Sequence, residues 1–343
     1  MTSTRDYSLV GTSTEAALAA GLATAEWYKS PVPRARMKEL MRRSDHPALR
    51  DTLLWLGIIV ASGTGIALLW WSWWCVPLLV VYGVMYGSAS DSRWHEAGHG
   101  TAFRTYWLNT VVYQIACFMI MRNPTVWRWS HTRHHTDTII VGRDAEIAAM
   151  RPPRLGVMLA NYFGLVDVPR LMRAMLRHAS GRLNADERDL VPEQERSKAA
   201  RVARVWVAIY AVTIGLAIAT TSVVPLVLVG LPRMYGAWHH VVTGYTQHAG
   251  LDDNVLDHRL NTRSVYMNRI NRFIYSNMNY HVEHHMFPMV PYHQLPALHA
   301  EIRHDLPPAA PSILAAYREL VPVVLRQRRE PEYCIVRELP THA

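Results

Sequence analysis

The chain has 343 residues, of which 50% are hydrophobic and 18% are charged, and it contains 12 tryptophans. This composition is unusual for a soluble enzyme and favours a membrane protein. The formal net charge is +9. Because the basic residues lie beside hydrophobic stretches, we expect them to face anionic lipid headgroups rather than nucleic acid.

Residues 1–50 are predicted to form a cytoplasmic segment. Its beginning lacks the charged start, apolar core and cleavage site of a signal peptide. Between Lys29 and Arg50, seven Lys or Arg residues stand against Glu39 and Asp45. We expect this basic stretch to lie at the cytoplasmic membrane surface, although a solvated helix face has the same pattern.

Four hydrophobic stretches predict four transmembrane helices arranged as two hairpins. The first hairpin covers residues 52–71 and 75–92, and the second covers residues 203–221 and 222–242. The stretch from Thr52 to Trp71 carries no charge and has about the length needed to cross a hydrocarbon core of roughly 30 Å. Pro225, Pro232 and Arg233 interrupt the last stretch, and an arginine at membrane depth must be paired or must reach the surface.

Two further stretches are amphipathic or too short to cross. Residues Trp107 to Met121 predict a re-entrant or interfacial helix, with a full crossing as the alternative. Residues Arg170 to Arg182 combine basic and apolar side chains at helical spacing. An in-plane helix on the cytoplasmic surface and an ordinary soluble helix both explain that pattern.

The expected fold is an all-α integral membrane protein with both termini in the cytoplasm. Its membrane domain spans residues 51–300, and residues 93–202 and 243–300 form a helical cap on the cytoplasmic side. Residues 301–343 form a cytoplasmic tail. The basic N-terminal segment sets this orientation through the positive-inside bias. All the histidine clusters described next then lie on one side of the membrane.

Three short clusters hold eight of the 18 histidines. They are His95-Glu-Ala-Gly-His99, His131-Thr-Arg-His-His135 and the stretch Asn279-Tyr-His-Val-Glu-His-His-Met-Phe-Pro288, which contains His281, His284 and His285. Positions i, i+3 and i+4 share one face of a helix, so each cluster can direct two or three imidazoles to a common point. Eight imidazoles exceed what one ion accepts, which predicts two metal ions.

With their flanking residues, these stretches resemble the three histidine boxes of the membrane fatty-acid desaturase superfamily, over about residues 52–299. The resemblance implies an O2-dependent enzyme with two iron ions that introduces a double bond into an acyl chain of a lipid. It also implies that the box histidines are the metal ligands: His95, His99, His131, His134, His135, His281, His284 and His285.

The resemblance further implies a ninth ligand shortly before the last box. His248 is the preferred candidate, and His239 and His240 are the alternatives. Relatives often have Asn four residues before this histidine, where this chain has Gly244. Three acids are candidates to orient ligand imidazoles, namely Glu96, Asp144 and Glu283. The remaining histidines are predicted not to bind metal: His46, His178, His258, His293, His299, His304 and His342.

Three other functions fit part of the pattern. The same two-iron site supports hydroxylation of a lipid or small molecule, depending on how the substrate is placed. His95-Glu-Ala-Gly-His99 also satisfies the H-E-x-x-H motif of zinc metalloproteases, but one zinc needs only three protein ligands. A membrane protein that binds zinc without catalysis is the third alternative.

The sequence contains no fused module for electron transfer. His46-Pro-Ala-Leu is the nearest match to a His-Pro-Gly-Gly haem motif, and Cys75, Cys117 and Cys334 form no cluster. We therefore expect electrons from ferredoxin or another small carrier with its own reductase. The net positive charge predicts that this carrier docks on the basic cytoplasmic face.

Overall fold

The structure, a computed structural model, describes residues 5–340, and this part of the chain is all-α. It forms no strand there, and one bridge pairs Val265 with Ala310. The helices in the described residues are α1 (Thr12–Ala19), α2 (Arg34–Leu40), α3 (Asp45–Leu68), α4 (Cys75–Val84), α5 (Ser90–Gly98), α6 (Tyr106–Met119), α7 (Pro124–Thr136), α8 (Leu155–Asn161), α9 (Asp167–Ala179), α10 (Ala185–Leu190), α11 (Glu193–Ala219), α12 (Val224–Leu228), α13 (Pro232–Gly236), α14 (Trp238–His248), α15 (His258–Asn261), α16 (Arg269–Ile274), α17 (His281–Met286), α18 (Leu295–Ile302) and α19 (Ile313–Arg326).

Two helical stretches are long and apolar enough to cross a membrane. They are Arg34–Leu68, which includes α3, and Glu193–Ala219, which is α11. Within the most apolar part of each, only 28% and 17% of the residues are buried. A core helix of a soluble protein buries most of its apolar surface, so these exposed faces fit a lipid environment better. They correspond to the first and third predicted crossings.

The second predicted crossing is helical but irregular. Helix α4 continues through a π-helical segment, Met85–Ala89, directly into α5. Gly87 lies in this segment, and a Cβ added there would sit 2.7 Å from the carbonyl oxygen of Pro232. The wider turn thus lies where α13 packs closely against this helix, and π-helical turns are frequent at functional sites.

The fourth predicted crossing, residues 222–242, differs from a continuous helix. It is divided into α12, α13 and the start of α14. Pro225 and Pro232 each lie at the beginning of a short helix, because proline lacks the N–H that a helix interior needs. Arg233 is 2% exposed, and its guanidinium donates to an Asp91 carboxylate oxygen at 2.8 Å. This ion pair provides the partner that a buried arginine requires.

Helix α6 lies where a re-entrant or interfacial helix was predicted, and it packs against α5. Its Asn109 is buried, with its side chain hydrogen-bonded to the backbone N–H and carbonyl of Phe103. The polar residue inside this apolar stretch therefore secures the loop between α5 and α6. Helices α3, α4, α5 and α6 share one hydrophobic core with α11, α17 and α18. This core positions the helices that carry the histidines.

Candidate metal centre

Five histidines from three helices form a first cluster. His95 lies on α5 and His99 directly follows it, His131 and His135 lie on α7, and His284 lies on α17. One potential ligand nitrogen from each lies within 4.8 Å of the others. The i, i+4 pairs on α5 and α7 make this possible, because such residues share one helix face.

Four histidines form a second cluster beside the first. They are His134 of α7, His248 at the end of α14, and His281 and His285 of α17, again with ligand nitrogens within 4.8 Å of one another. Helices α7 and α17 therefore contribute to both clusters. Each H-x-x-H-H motif divides its imidazoles between the clusters instead of directing all three to one point.

The spacing of the nitrogens suits metal ligation. In the first cluster, the Nε2 atoms of His99 and His131 lie 3.1 Å apart, and those of His135 and His284 lie 3.2 Å apart. In the second, the Nε2 atoms of His281 and His285 lie 3.1 Å apart. For metal–nitrogen bonds of about 2.1 Å, ligands at right angles would be about 3.0 Å apart and tetrahedral ligands about 3.4 Å. The observed spacing is nearer to the right-angled arrangement.

The donor set is also informative. Nine imidazoles in groups of five and four contain no thiolate or carboxylate, and five exceed the four ligands of a structural zinc ion. Imidazole suits iron among other transition metals. The Nε2 atom of His95 is buried and has no hydrogen-bond partner among residues 5–340. A buried polar atom normally has a partner, and a metal ion would supply one here.

Carboxylates hold three of the cluster imidazoles from behind. The Nδ1 atom of His95 lies 3.2 Å from Glu96, that of His134 lies 2.8 Å from Asp144, and that of His131 lies 3.1 Å from Glu146. Metal-bound histidines usually have such partners, which fix the ring orientation. Glu96 and Asp144 were predicted from the sequence, whereas Glu146 was not, although it follows the second box in the same acidic loop as Asp144.

Glu283 has a different partner from the one predicted. Its carboxylate hydrogen-bonds to Nδ1 of His299 and to the hydroxyl of Ser264, not to a cluster histidine. Helix geometry explains this difference. At about 100° per residue, position 283 points away from the face that carries His281 and His285. Glu283 therefore joins α17 to α18 on the side of α17 that points away from His281 and His285.

The alternative ninth ligands lie outside both clusters. Nε2 of His239 is 2.8 Å from the side-chain oxygen of Asn271, and Nε2 of His240 is 3.3 Å from Asp91. His248 instead has Nδ1 2.8 Å from the carbonyl oxygen of Asn261 and Nε2 3.1 Å from Nε2 of His281.

Most of the histidines predicted not to bind metal also lie outside the clusters. His178 pairs with Glu187 at 3.0 Å. His258 stacks on Trp27, with ring centroids 4.3 Å apart, and lies 5.2 Å from the ring of His285. His46, His293, His299 and His304 join neither group either, while His342 lies outside the described residues.

Burial controls the protonation of the clusters. It lowers the pKa of six of these histidines well below 6.5, so their imidazoles are neutral, the form that binds metal: His95, His131, His135, His281, His284 and His285. His134 differs. Burial lowers its pKa, but the Asp144 carboxylate outweighs this and raises the pKa to about 9. Binding a metal at His134 must therefore displace a proton.

A cavity of about 200 Å³ reaches the first cluster. His99, His131 and His135 line one part of it, and Trp94, Tyr113 and Met289 line another. A cavity of about 80 Å³ touches the second cluster at His134 and His248. A small molecule or part of a longer one can thus approach the first cluster more readily than the second.

The comparisons agree with this geometry. The model of the fatty acid desaturase family matches residues 69–317, a range that contains all nine cluster histidines. The chain is also 26% identical over 313 residues to an endoplasmic-reticulum omega-3 fatty acid desaturase of Nicotiana tabacum, and the match covers 85% of this chain and 76% of that relative. The chain therefore belongs to the fatty acid desaturase family and is an oxidoreductase of lipid metabolism.

Proposed function

We propose that this oxidoreductase binds two iron ions and uses O2 to introduce a double bond into an acyl chain of a lipid. The observation that carries the proposal is the pairing of a five-histidine and a four-histidine cluster in one buried site. The ligands would be His95, His99, His131, His135 and His284 at one iron, and His134, His248, His281 and His285 at the other. With O2, two iron ions supply an oxidant that removes hydrogen from an unactivated methylene, which no side-chain acid or base can do.

The protein contributes orientation and exclusion of water. Glu96, Glu146 and Asp144 hold imidazoles in fixed directions through Nδ1. Burial keeps bulk water away from the imidazoles of the third box, since each is at most 3% exposed: His281, His284 and His285. The cavity beside His99 and His135 is the place where one methylene of an acyl chain would be held.

Electrons must come from outside the substrate, because removing two hydrogens from an acyl chain supplies only half of what is needed to reduce O2 to water. We propose a ferredoxin-like or other small carrier with its own reductase as the source. The net charge of +9 favours an acidic carrier. Strong salt dependence of the reduction rate would support electrostatic docking, and insensitivity to salt would count against it.

For the membrane arrangement we propose four crossings, with both termini and the metal centre on the cytoplasmic side. The exposed apolar surfaces of α3 and α11 support two of the crossings. The irregular segments at residues 75–92 and 222–242 would form the others, with the ion pair of Arg233 and Asp91 between them. Accessibility of single introduced cysteines to a membrane-impermeant reagent tests this arrangement.

The metalloprotease alternative is not favoured by the position of Glu96. This side chain is 2% exposed and contacts the back of His95, whereas the general base of such a protease faces an open metal position. Five clustered imidazoles likewise exceed what a single zinc ion uses.

The test of the proposed reaction is product analysis. The purified protein, reconstituted in lipid with iron, O2 and a reduced carrier, should convert saturated acyl chains into alkenes detectable by mass spectrometry. The His131→Ala variant should form none. A hydroxylated product would instead assign the same site to hydroxylation, and consumption of O2 without change in any acyl chain would contradict the proposed substrate.

A further inference from the structure

Helix α9 has one face that is buried in the protein. Val168, Leu171, Met175 and His178 recur at helical spacing, and the apolar members of this face belong to the core that includes Ala203 and Trp206 of α11. His178 is held by Glu187 of α10. The packing against α11 covers only part of the apolar surface of α9.

A second apolar stripe runs along α9 without a partner in the described residues. Met172 is 40% exposed and Leu176 is 56% exposed, and Pro169 is also exposed. Leu165, just before the helix, is 53% exposed and continues the stripe. On a helical projection these residues lie next to the buried face, so the apolar arc extends beyond the part that α11 covers.

Basic residues border this stripe on its far side. Arg170 and Arg173 are exposed, and neither forms an ion pair within residues 5–340. Arg177, the third member of this row, is paired with Glu187 at 2.7 Å. Around the helix, the order is therefore protein core, exposed apolar stripe and basic row. A helix lying in a membrane interface has this order, with its apolar side toward the acyl chains and its cations at headgroup depth.

The position of α9 along α11 agrees with a location at the membrane interface. Nε of Arg204 donates to the carbonyl oxygen of Ala179 at 2.9 Å, which joins the end of α9 to α11. From Val205 onward α11 carries no charge up to Ala219, and several of its apolar side chains are more than half exposed, including Val205, Val212 and Ile218. Helix α9 thus lies beside the point where the candidate membrane span begins.

We propose that α9 is an in-plane membrane-surface helix whose exposed stripe enters the lipid and whose arginines bind anionic phospholipid headgroups. The exposed apolar surface of α11, which begins beside the end of α9, selects a lipid layer as the occupant. The unpaired charges of Arg170 and Arg173 select anionic over zwitterionic lipid. The inference concerns the membrane surface of the protein and is independent of the metal centre.

The first test measures depth. Cys75 and Cys117 are buried, so a fluorophore can be attached at Met172→Cys in a full-length Cys334→Ser background. In vesicles of dioleoylphosphatidylcholine that include lipid brominated in its acyl chains, the fluorophore at position 172 should be strongly quenched. A fluorophore at Ser180→Cys, exposed beyond the end of α9 and outside the apolar stripe, serves as the control and should be quenched less.

The second test measures headgroup preference. In mixed vesicles of phosphatidylglycerol and phosphatidylcholine, with one or the other brominated, quenching at position 172 gives the relative binding constant of the two lipids. We expect phosphatidylglycerol to be preferred. The Arg170→Gln/Arg173→Gln variant should bring the ratio close to one, since each arginine near an anionic surface contributes a factor of up to roughly five. The matched control Arg328→Gln/Arg329→Gln removes two exposed arginines at the end of α19 and should leave the ratio unchanged.

Two results would overturn the proposal. Equal and weak quenching at positions 172 and 180 would place α9 in water or under a protein partner instead of in lipid. Strong quenching at position 172 with the same lipid ratio in both arginine variants would show an interfacial helix without an anionic-headgroup site. Circular dichroism of each variant in the same vesicles checks that the helical content is retained.

Discussion

The two histidine clusters share α7 and α17 but are held in different ways. In the second cluster, Asp144, the Asn261 carbonyl oxygen and the Thr138 hydroxyl contact the Nδ1 atoms of His134, His248 and His285. In the first cluster, Nδ1 of His135 and Nδ1 of His284 are buried without a hydrogen-bond partner among residues 5–340. The first cluster has one more imidazole, and two of its five rings lack a contact at Nδ1 within the described part of the chain, whereas Nδ1 contacts hold at least three of the four rings of the second cluster. The clusters should therefore respond differently to substitution.

Removing one imidazole from either cluster should have the largest effect. His284→Ala changes the first cluster and His285→Ala the second, and we expect each to abolish acyl-chain oxidation in a product assay because the proposed reaction needs both ions. His258→Ala is the matched control, since this ring lies 5.2 Å from His285 but belongs to neither cluster. It should keep most of the activity. Complete loss in His258→Ala with normal folding would mean that the site extends beyond the nine histidines.

Substitution of the carboxylates behind the imidazoles should distinguish the two clusters. Asp144 accepts hydrogen bonds from the backbone N–H groups of Ile139 and Glu146 as well as contacting His134. We therefore expect Asp144→Asn to weaken iron binding at the second cluster by about 10- to 100-fold, measured by chelator titration. Glu146→Gln should have a smaller effect, confined to the first cluster. Equal effects of the two variants would contradict the distinction drawn between the clusters.

Adding a side chain at Gly244 tests whether a further ligand can be supplied to the second cluster. A Cβ added there would lie 3.8 Å from the ring of His240, which is ordinary contact, so a side chain fits. Gly244→Asn should place an amide one turn before His248 and modestly slow iron loss to a chelator. Gly244→Ala controls for helix propensity, which alone gives about 1 kcal/mol. Faster iron loss in the asparagine variant than in the alanine variant would contradict this expectation.

A carboxylate–histidine pair outside both clusters provides a reference without metal, and substituting it should have the smallest effect. Burial raises the pKa of Glu187, but hydrogen bonds from His178, the Asn184 N–H and Arg177 outweigh it and lower the pKa to about 2. Because the folded-state pKa is depressed, this stabilisation is complete above the ordinary pKa near 4.5 and is lost as the pH falls toward about 2.

Glu187→Gln should lower stability at neutral pH by about 1–2 kcal/mol and leave the iron content unchanged. The difference from the parent protein should disappear as the pH falls through that range, measured by thermal unfolding in detergent. A constant difference at all pH values would mean that the charge of Glu187 is not responsible.

Much of the candidate site could be predicted from the sequence. The histidine spacing and the resemblance named all nine residues that the structure brings together, and their binding of metal stays a prediction. The division of each H-x-x-H-H motif between two clusters could not be predicted, because it depends on how α7 and α17 cross. Glu146 was missed because its contact with His131 depends on the path of a loop. The direction of Glu283, by contrast, follows from helical periodicity alone.

In the fold as well, features set by the local sequence could be predicted, whereas features set by tertiary contacts could not. Uncharged runs predicted α3 and α11, the two helices that are long and apolar enough to span a membrane. Pro225 and Pro232 indicated an interruption, and the structure replaces a single helix there by three. The π-helical segment Met85–Ala89 has no clear sequence signal. It lies where Gly87 meets the backbone of α13, a tertiary contact that local patterns do not encode.

The most direct test of the central claim is the metal content of the purified protein, measured together with Mössbauer spectroscopy after enrichment with iron-57. Nine imidazoles in two clusters predict about two iron ions per chain, coupled to each other when oxidised. The His284→Ala variant should lose iron from the first cluster. One zinc ion per chain with no iron would contradict the proposed two-iron centre and would favour a zinc-binding membrane protein instead.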